Sequence, residues 1–222
     1  MTNKIRLNRA KFSHVVWENI FEHADTEMGV QQLLADRAAA YAKLRDGADY
    51  NTGSVSVDAM YTLFCIAHFF KPKVIAEVGT FIGNSTFAMA EGAGTGDNCE
   101  IHTCDYSNDI KLESSIGAVQ YPKVPSTEMF GKMAQAGKRV DLTFFDGRLT
   151  PGDIALISKL VTDDTVYVFD DFEGIEKGVA NVGLFMSYPN IKVAYHLIYP
   201  PKNLNCKIAM LLPRKYVEWT DQ

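Results

Sequence analysis

The sequence predicts an α/β fold: a doubly wound seven-stranded sheet, mostly parallel, with an antiparallel terminal hairpin and added N-terminal helices. Three observations predict it. From Val74 onward, short runs rich in Val, Ile and Phe alternate with helical segments, the pattern of parallel strands joined by crossover helices. The first run opens into a glycine-bounded turn, Gly79 to Gly83, followed by a short amphipathic helix. The last two runs are separated by a loop with Pro200, Pro201, Asn203 and Asn205, too short for a crossover helix, so they pair antiparallel.

Taken in order, residues 1–11 are polar and basic and read as a lead-in. A helix is expected from Ser13 to His23, with Val16, Ile20 and Phe21 at helical spacing. A second is expected from Glu27 to Arg45, where Leu34, Ala38, Tyr41 and Arg45 follow one face and Gly47 marks the stop. Residues 1–51 therefore form an N-terminal helical segment, either a cap or homodimer contact or a lid that shapes a substrate pocket. Residues 52–222 form the sheet domain. Ser56 is an N-cap for an apolar helix from Asp58 to Phe70, which Lys71-Pro72 ends. Strands are expected at Val74–Val78, Ile101–Asp105, Val119–Val124, Val140–Phe145, Thr165–Phe169, Lys192–His196 and Lys207–Leu212. The intervening helices fall near Ser85–Glu91, closed by Gly92, then Asp109–Ser115, Thr127–Gln135, Pro151–Leu160 and Glu176–Met186. The fourth of these is well signalled, with Thr150 as N-cap, Pro151 at the first helical position and Asp153 in the first turn.

Composition narrows the function. With 222 residues, 47% hydrophobic and 22% charged, the chain can bury one full core. A net charge of -5 with no long Lys/Arg run argues against nucleic acid or an anionic membrane as partner. Cys65, Cys99, Cys104 and Cys206 lack C-x-x-C spacing and read as free thiols in a reducing compartment. No apolar stretch reaches the length of about 18 residues that a membrane span needs, so a cytoplasmic protein is expected.

Ligands of such a sheet bind beyond the carboxyl ends of the strands, at the point where strand order reverses. The predicted strands end in Glu77 and the Gly79–Gly83 turn, in Asp105-Tyr106, in Asp146-Gly147 and in Asp170-Asp171. Carboxylates at every tip would repel a pyrophosphate. Phe81 breaks the G-x-G-x-x-G spacing of dinucleotide binders, and no lysine follows Gly83 as in a Walker A loop. A nucleoside bearing a sulfonium and an amino group suits these acids. Asp105 would accept from the ribose hydroxyls and Glu77 would sit near the amino group. The helix start at Ser85 and Thr86 would face the carboxylate.

The residues E-V-G-T-F-I-G-N-S-T at 77–86, D-Y at 105–106, F-F-D-G at 144–147 and V-F-D-D-F at 168–172 resemble the class I S-adenosylmethionine-dependent methyltransferases. Within that class the chain looks most like small-molecule O-methyltransferases of the macrocin and catechol kinds. The resemblance implies a Rossmann-like fold, S-adenosyl-L-methionine as cofactor and a small-molecule acceptor methylated at a hydroxyl oxygen. Small-molecule N-methylation without metal, or cofactor binding without catalysis, are the alternatives. It further implies cofactor binding by Ser54, Glu77, Gly79, Thr80, Phe81, Gly83, Ser85, Thr86, Asp105, Tyr106, Thr127 and Asp146, with the loop Thr52-Gly53-Ser54 closing over the methionine part. Members of these families commonly hold a divalent cation, which makes Asp146, Asp170 and Asp171 candidate ligands for Mg²⁺. Asp146, Asp171 and His196 are the catalytic candidates. The macrocin-like pattern continues F-x-D-G-D-H, whereas Arg148 and Leu149 follow here. Either no metal is bound, or Arg148 binds an acidic substrate, or it points away. His14, His23, His68 and His102 read as structural or solvent-facing. Tyr195, Tyr199, Trp17 and Phe21 read as core or as substrate-pocket lining.

Overall fold

A computed structural model of the chain describes residues 9–24, 29–46, 54–94, 99–106 and 112–217. The expected lead-in over 1–8, the stop at Gly47, the loop residues Thr52 and Gly53, and the first part of the expected Asp109–Ser115 helix lie outside them.

The strands are β1 (Val74–Val78), β2 (Glu100–Asp105), β3 (Val119–Pro122), β4 (Val140–Phe145), β5 (Val161–Phe169), β6 (Tyr195–Ile198) and β7 (Ala209–Pro213). They form one seven-stranded sheet in the order β3-β2-β1-β4-β5-β7-β6. All pairs are parallel except those of β7, which runs against both β5 and β6. This is the expected Rossmann-like sheet with its terminal hairpin.

Alternation along each strand sends side chains to two cores. Ile75, Leu142, Phe144, Val166, Val168, Met210 and Leu212 face helices α1 (Arg9–Ala24), α2 (Val30–Asp46), α3 (Val57–Phe70) and α4 (Asn84–Ala93). Ala76, Val78, Phe145, Tyr167, Phe169 and Leu211 face α5 (Ser126–Gln135), α6 (Pro151–Ile157), α7 (Lys177–Met186) and α8 (Pro189–Ala194). Helix α3 is apolar on nearly every side because it is covered on nearly every side, by the sheet, by α4 and by α1. Its expected N-cap is present, with Ser56 Oγ accepting from the Ala59 N–H at 3.1 Å. Trp17 and Ile20 of α1 and Leu34 of α2 are buried in the same core, so the N-terminal helices pack as part of this layer.

Several boundaries differ from expectation for identifiable reasons. Helix α1 begins at Arg9, inside the stretch read as lead-in. Gly92 does not close α4, which runs on to Ala93 and ends at Gly94, whose φ is 74°. Gly92 serves packing instead: a Cβ there would lie 2.3 Å from the Phe64 carbonyl oxygen, so glycine is what lets α3 and α4 meet backbone to backbone. Strand β3 stops at Pro122 because Lys123 turns to a φ of 54°. β5 reaches back to Val161. The segment around Lys192 is helical, started by Pro189 at a first-turn position, which pushes β6 on to Tyr195. The part of the second crossover that is described is a short 3-10 turn, Ser114–Ile116.

Candidate active site

Strand order reverses between β1 and β4, and the carboxyl ends of β1, β2 and β4 border a cleft of about 550 Å³. Val78, Gly79 and Phe81 line it from the turn after β1, Asp105 and Tyr106 from the end of β2, and Ser126 and Thr127 from the start of α5. Asp146, Gly147 and Arg148 line it after β4, and Lys177 at the start of α7.

The turn wall is built around two glycines. Gly79 has φ 105° and donates its N–H to the Cys104 carbonyl at 2.8 Å. A Cβ on it would come within 3.1 Å of Asp146 Cβ, so a bare Cα is needed where β1 and β4 tips meet. Gly83, φ 77°, is the N-cap of α4. Between them Phe81 adopts a φ of 42°, unusual for a residue with a side chain, and its N–H donates to Asp105 Oδ2 at 2.8 Å. Asp105 thus ties the turn to the next strand and still lines the cleft.

Beneath this turn lies a buried polar cluster. Glu77 is fully buried, and its two carboxylate oxygens accept from Ser85 Oγ and Thr86 Oγ1, each at 2.5 Å. Thr80 and Thr103 hydroxyls pair at 2.6 Å alongside. Burial pushes Glu77 up to about 7, against the pull of the hydroxyl donors Ser85, Thr103 and Thr86. Glu77, Ser85 and Thr86, expected to face the ligand, therefore spend their side chains on each other. They fix the helix start rather than presenting these groups to the cleft. Ser54 is brought to the same place, its Oγ accepting from Asn84 Nδ2 at 2.9 Å, while Asn84 Oδ1 is buried with no partner among the described residues. Arg37 of α2 also lies here. It is buried against Tyr41 and Phe87 and ion-paired to Glu113 at 3.4 Å, with Nε and Nη2 unmatched among the described residues.

The opposite wall is charged. Asp146 and Asp171 are bridged by one ammonium: Lys177 Nζ lies 2.8 Å from Asp146 Oδ1 and 2.5 Å from Asp171 Oδ2. Burial, then the neighbouring Asp170, raise Asp146, and Lys177 pulls it back down. Burial also raises Asp170, whose carboxylate accepts from the Asp171 N–H. Burial by itself would lower Lys177, but Asp146 and Asp171 outweigh it and hold the lysine above its ordinary value. The backbone explains the geometry. Asp171 has φ 50°, and a Cβ on Gly178 would fall 2.0 Å from the Asp170 carbonyl oxygen, so glycine lets the first turn of α7 sit directly on the strand tip. Lys177, one residue earlier, is thereby aimed at the two acids. Among the described residues no group of three or more His, Cys, Asp and Glu is arranged to hold a metal ion.

Other expected site residues are dispersed. Thr127 and Tyr106 line the cleft. His196 does not come to it: it pairs with Leu212, three residues along β7 from the Ala209 that meets the carboxyl end of β5, and its ring stacks edge-on against Phe12 at 5.1 Å. The β6 shift is the cause, since it makes His196 the second residue of an antiparallel strand that climbs toward the site rather than its end. Trp17 is a core residue that donates Nε1–H to the Tyr199 carbonyl at 2.6 Å, and Tyr199 meets Phe172 edge-on beside the β5 tip. Lys177, Gly178, Asn84 and Arg37 were not read from the sequence. Arg37 was findable, since it shares the helical face of Leu34, Ala38 and Tyr41.

No protein-family model and no curated protein matches the chain in sequence. Solved structures do match in fold. Cofactor-bound Rv0187 from MTB is similar at 18% identity and a TM-score of 0.59, over 79% of this chain and 88% of that one. The O-methyltransferase TomG from Streptomyces achromogenes, in complex with SAM, is similar at 16% identity and a TM-score of 0.55, over 93% and 99%. The O-methyltransferase from Bacillus cereus, in complex with SAH, is similar at 13% identity and a TM-score of 0.56, over 91% and 99%. The chain thus has the fold of the class I S-adenosylmethionine-dependent methyltransferases, as its motifs suggested. Among the described residues no helix is long and apolar enough to cross a membrane.

Proposed function

We propose that the protein is an S-adenosylmethionine-dependent methyltransferase acting on a hydroxyl oxygen of a small molecule. The observation that carries the reading is the convergence of the bare Gly79 backbone, Asp105 and Asp146 on one cleft at the switch point. That is where a nucleoside binds in this fold class, and it supports the reading together with the SAM and SAH held by TomG and the Bacillus cereus enzyme.

The residues present fit the cofactor. Asp105, whose carboxylate accepts from the Phe81 N–H, lines the cleft where the ribose hydroxyls would lie. With Glu77 engaged below the turn, Asn84 Oδ1, which has no partner among the described residues, is the better acceptor for the amino group, and Ser54 stands beside it. Thr127 and Tyr106 border the nucleoside. Bound there, the cofactor supplies a methyl group on a sulfonium, a ready electrophile. The chain's task is then to place the acceptor oxygen in line and take its proton. Asp171 is the proton acceptor we assign: it lies at the β5 tip, less buried than Asp146. The acceptor oxygen would take the methyl group, the carbon–sulfur bonding pair would stay with the cofactor's sulfur, and the proton would pass to Asp171 Oδ. His196 has no part in this reading.

The donor set does not fit Mg²⁺. Asp146 and Asp171, two of the three ligands the resemblance implied, are already joined through Lys177, and an ammonium between two carboxylates occupies the position a cation would need. Residues 1–51 are read as a cap rather than a separate lid, because Trp17, Ile20 and Leu34 share the core of α3.

The reading is tested by calorimetry with S-adenosylmethionine and S-adenosylhomocysteine on folded protein. Micromolar or tighter binding is expected for both, and failure of both to bind refutes it.

A further inference from the structure

We infer that Lys177 is the resident cation of the acceptor site: it neutralises the Asp146–Asp171 pair, offers its remaining N–H to the acceptor oxygen, and keeps divalent metal out. The inference rests on the methyltransferase reading for the acceptor, but its core is a statement about cation occupancy.

Three features carry it. First, Lys177 is three-quarters buried yet touches two separate strand tips, at 2.8 Å and 2.5 Å, which a surface lysine in a chance ion pair does not do. Second, Lys177 is the first residue of α7, where the positive end of the helix dipole disfavours a cation by about 0.3–1 kcal/mol. The two carboxylates offset that penalty, so the lysine stands where local helix preference would not put one. Third, the contact is built by the backbone: Gly178 seats α7 against the Asp170 carbonyl, and Asp171 takes a left-handed φ of 50° to turn its carboxylate toward the lysine. Lys177 also lines the cleft that holds Gly79 and Asp105, so the ammonium faces the space where acceptor and cofactor would meet. An ammonium has three N–H donors. Two go to Asp146 and Asp171, and among the described residues nothing takes the third, which is open to an oxygen in the cleft.

The consequence is a site whose charge is set by the chain itself. Removing the ammonium leaves the Asp146 and Asp171 carboxylates with no cation between them, a pair of hard oxygen ligands open to a divalent ion.

The test is Mn²⁺ binding, followed by electron paramagnetic resonance, on wild-type protein, Lys177→Ala, Lys177→Gln and Asp146→Asn, each with a melting curve to establish folding. Wild type is expected to leave Mn²⁺ in solution. Either lysine variant is expected to bind one Mn²⁺ per chain at least about 10-fold more tightly, a change of roughly 1.4 kcal/mol. Adding Asp146→Asn to the lysine variant should abolish that binding. The inference is overturned if wild type binds Mn²⁺ stoichiometrically and Asp146→Asn removes it, an arm that needs no lysine variant to fold. It is overturned equally if a folded lysine variant binds Mn²⁺ no better than wild type. Calorimetry with S-adenosylhomocysteine on the same wild-type sample keeps the two questions apart: its failure refutes the methyltransferase reading and leaves the Mn²⁺ result standing.

Discussion

On the turn side of the cleft, polar side chains satisfy one another beneath the backbone. Glu77 holds Ser85 and Thr86, Thr80 holds Thr103, and the face left to a ligand is mostly main chain plus Asp105. On the tip side the charged groups meet at the cleft wall, where Asp146 and Asp171 are balanced by one ammonium. Each wall carries a residue other than glycine in the left-handed region, Phe81 at 42° and Asp171 at 50°. Such conformations cost of order 1–3 kcal/mol and persist where the surroundings over-determine them. The difference teaches a division of labour. The turn wall is a seat whose shape is fixed by buried hydrogen bonds, and the tip wall is an electrostatic device whose balance depends on single atoms.

If that division holds, the largest effect should come from the tip wall and fall on turnover. Lys177→Met should lower kcat by about 100- to 1,000-fold while the dissociation constant for S-adenosylmethionine stays within about 3-fold, since a preorganised charge acts on the reacting oxygen. Steady-state kinetics on an acceptor found by screening phenols and sugars, paired with calorimetry, checks the split. Full wild-type activity should persist in chelator.

The turn wall should respond in affinity. Asp105→Ala is expected to weaken cofactor binding by about 1–3 kcal/mol, because it removes the proposed ribose acceptor and the anchor of Phe81 N–H together. An unchanged calorimetric affinity would remove Asp105 from that role. Gly79→Ala should lower melting temperature and affinity together, by about 1 kcal/mol or more, because an alanine resists φ 105° and its Cβ presses on Asp146.

The buried carboxylate gives a smaller, pH-shaped effect. Glu77 has its folded pKa raised from 4.5 to about 7, so the folded state holds a proton that the unfolded state releases between those values. Its contribution to stability is therefore complete below 4.5 and is lost as pH rises through about 7. Glu77→Gln should flatten the fall in melting temperature between pH 5 and pH 8, and an unaltered slope would show that Glu77 does not titrate there. His196→Ala, away from both walls, should leave kcat within about 2-fold, in keeping with surface-type substitutions remote from a site.

Much of the fold was legible because it is written in local periodicity. β1 and β4 have the boundaries that their apolar runs imply, and Thr150, Pro151 and Asp153 start α6 as expected through a reciprocal capping box. The turn wall was legible in position but not in orientation. E-V-G-T-F-I-G marks a ligand turn, yet nothing in its spacing tells that Glu77 points at Ser85 and Thr86 rather than outward. That depends on β1 being covered by α3 and α4 on the face Glu77 shares with Ile75. The tip wall was half legible. Asp146, Asp170 and Asp171 end strands and could be read as such, whereas Lys177 lies six residues beyond Asp171 and reaches it only because Gly178 allows α7 to fold back. A lysine-glycine pair opening a helix, against the preference of the dipole, was the available signal.

The seat of α1 has a consequence in time. Its Trp17 donates to the Tyr199 carbonyl and its Ser13 Oγ accepts from the Tyr199 N–H, partners 182 and 186 residues further along the chain. At a synthesis rate of about 5–20 residues per second, the first helix waits roughly ten to forty seconds for the loop that locks it. During that interval Trp17 and Ile20 can lean on α3, but the edge beside β6 stays open. The contacts that fasten α1 therefore form only once Tyr199 has been made, and a nascent chain stalled before Tyr199 would leave that edge open.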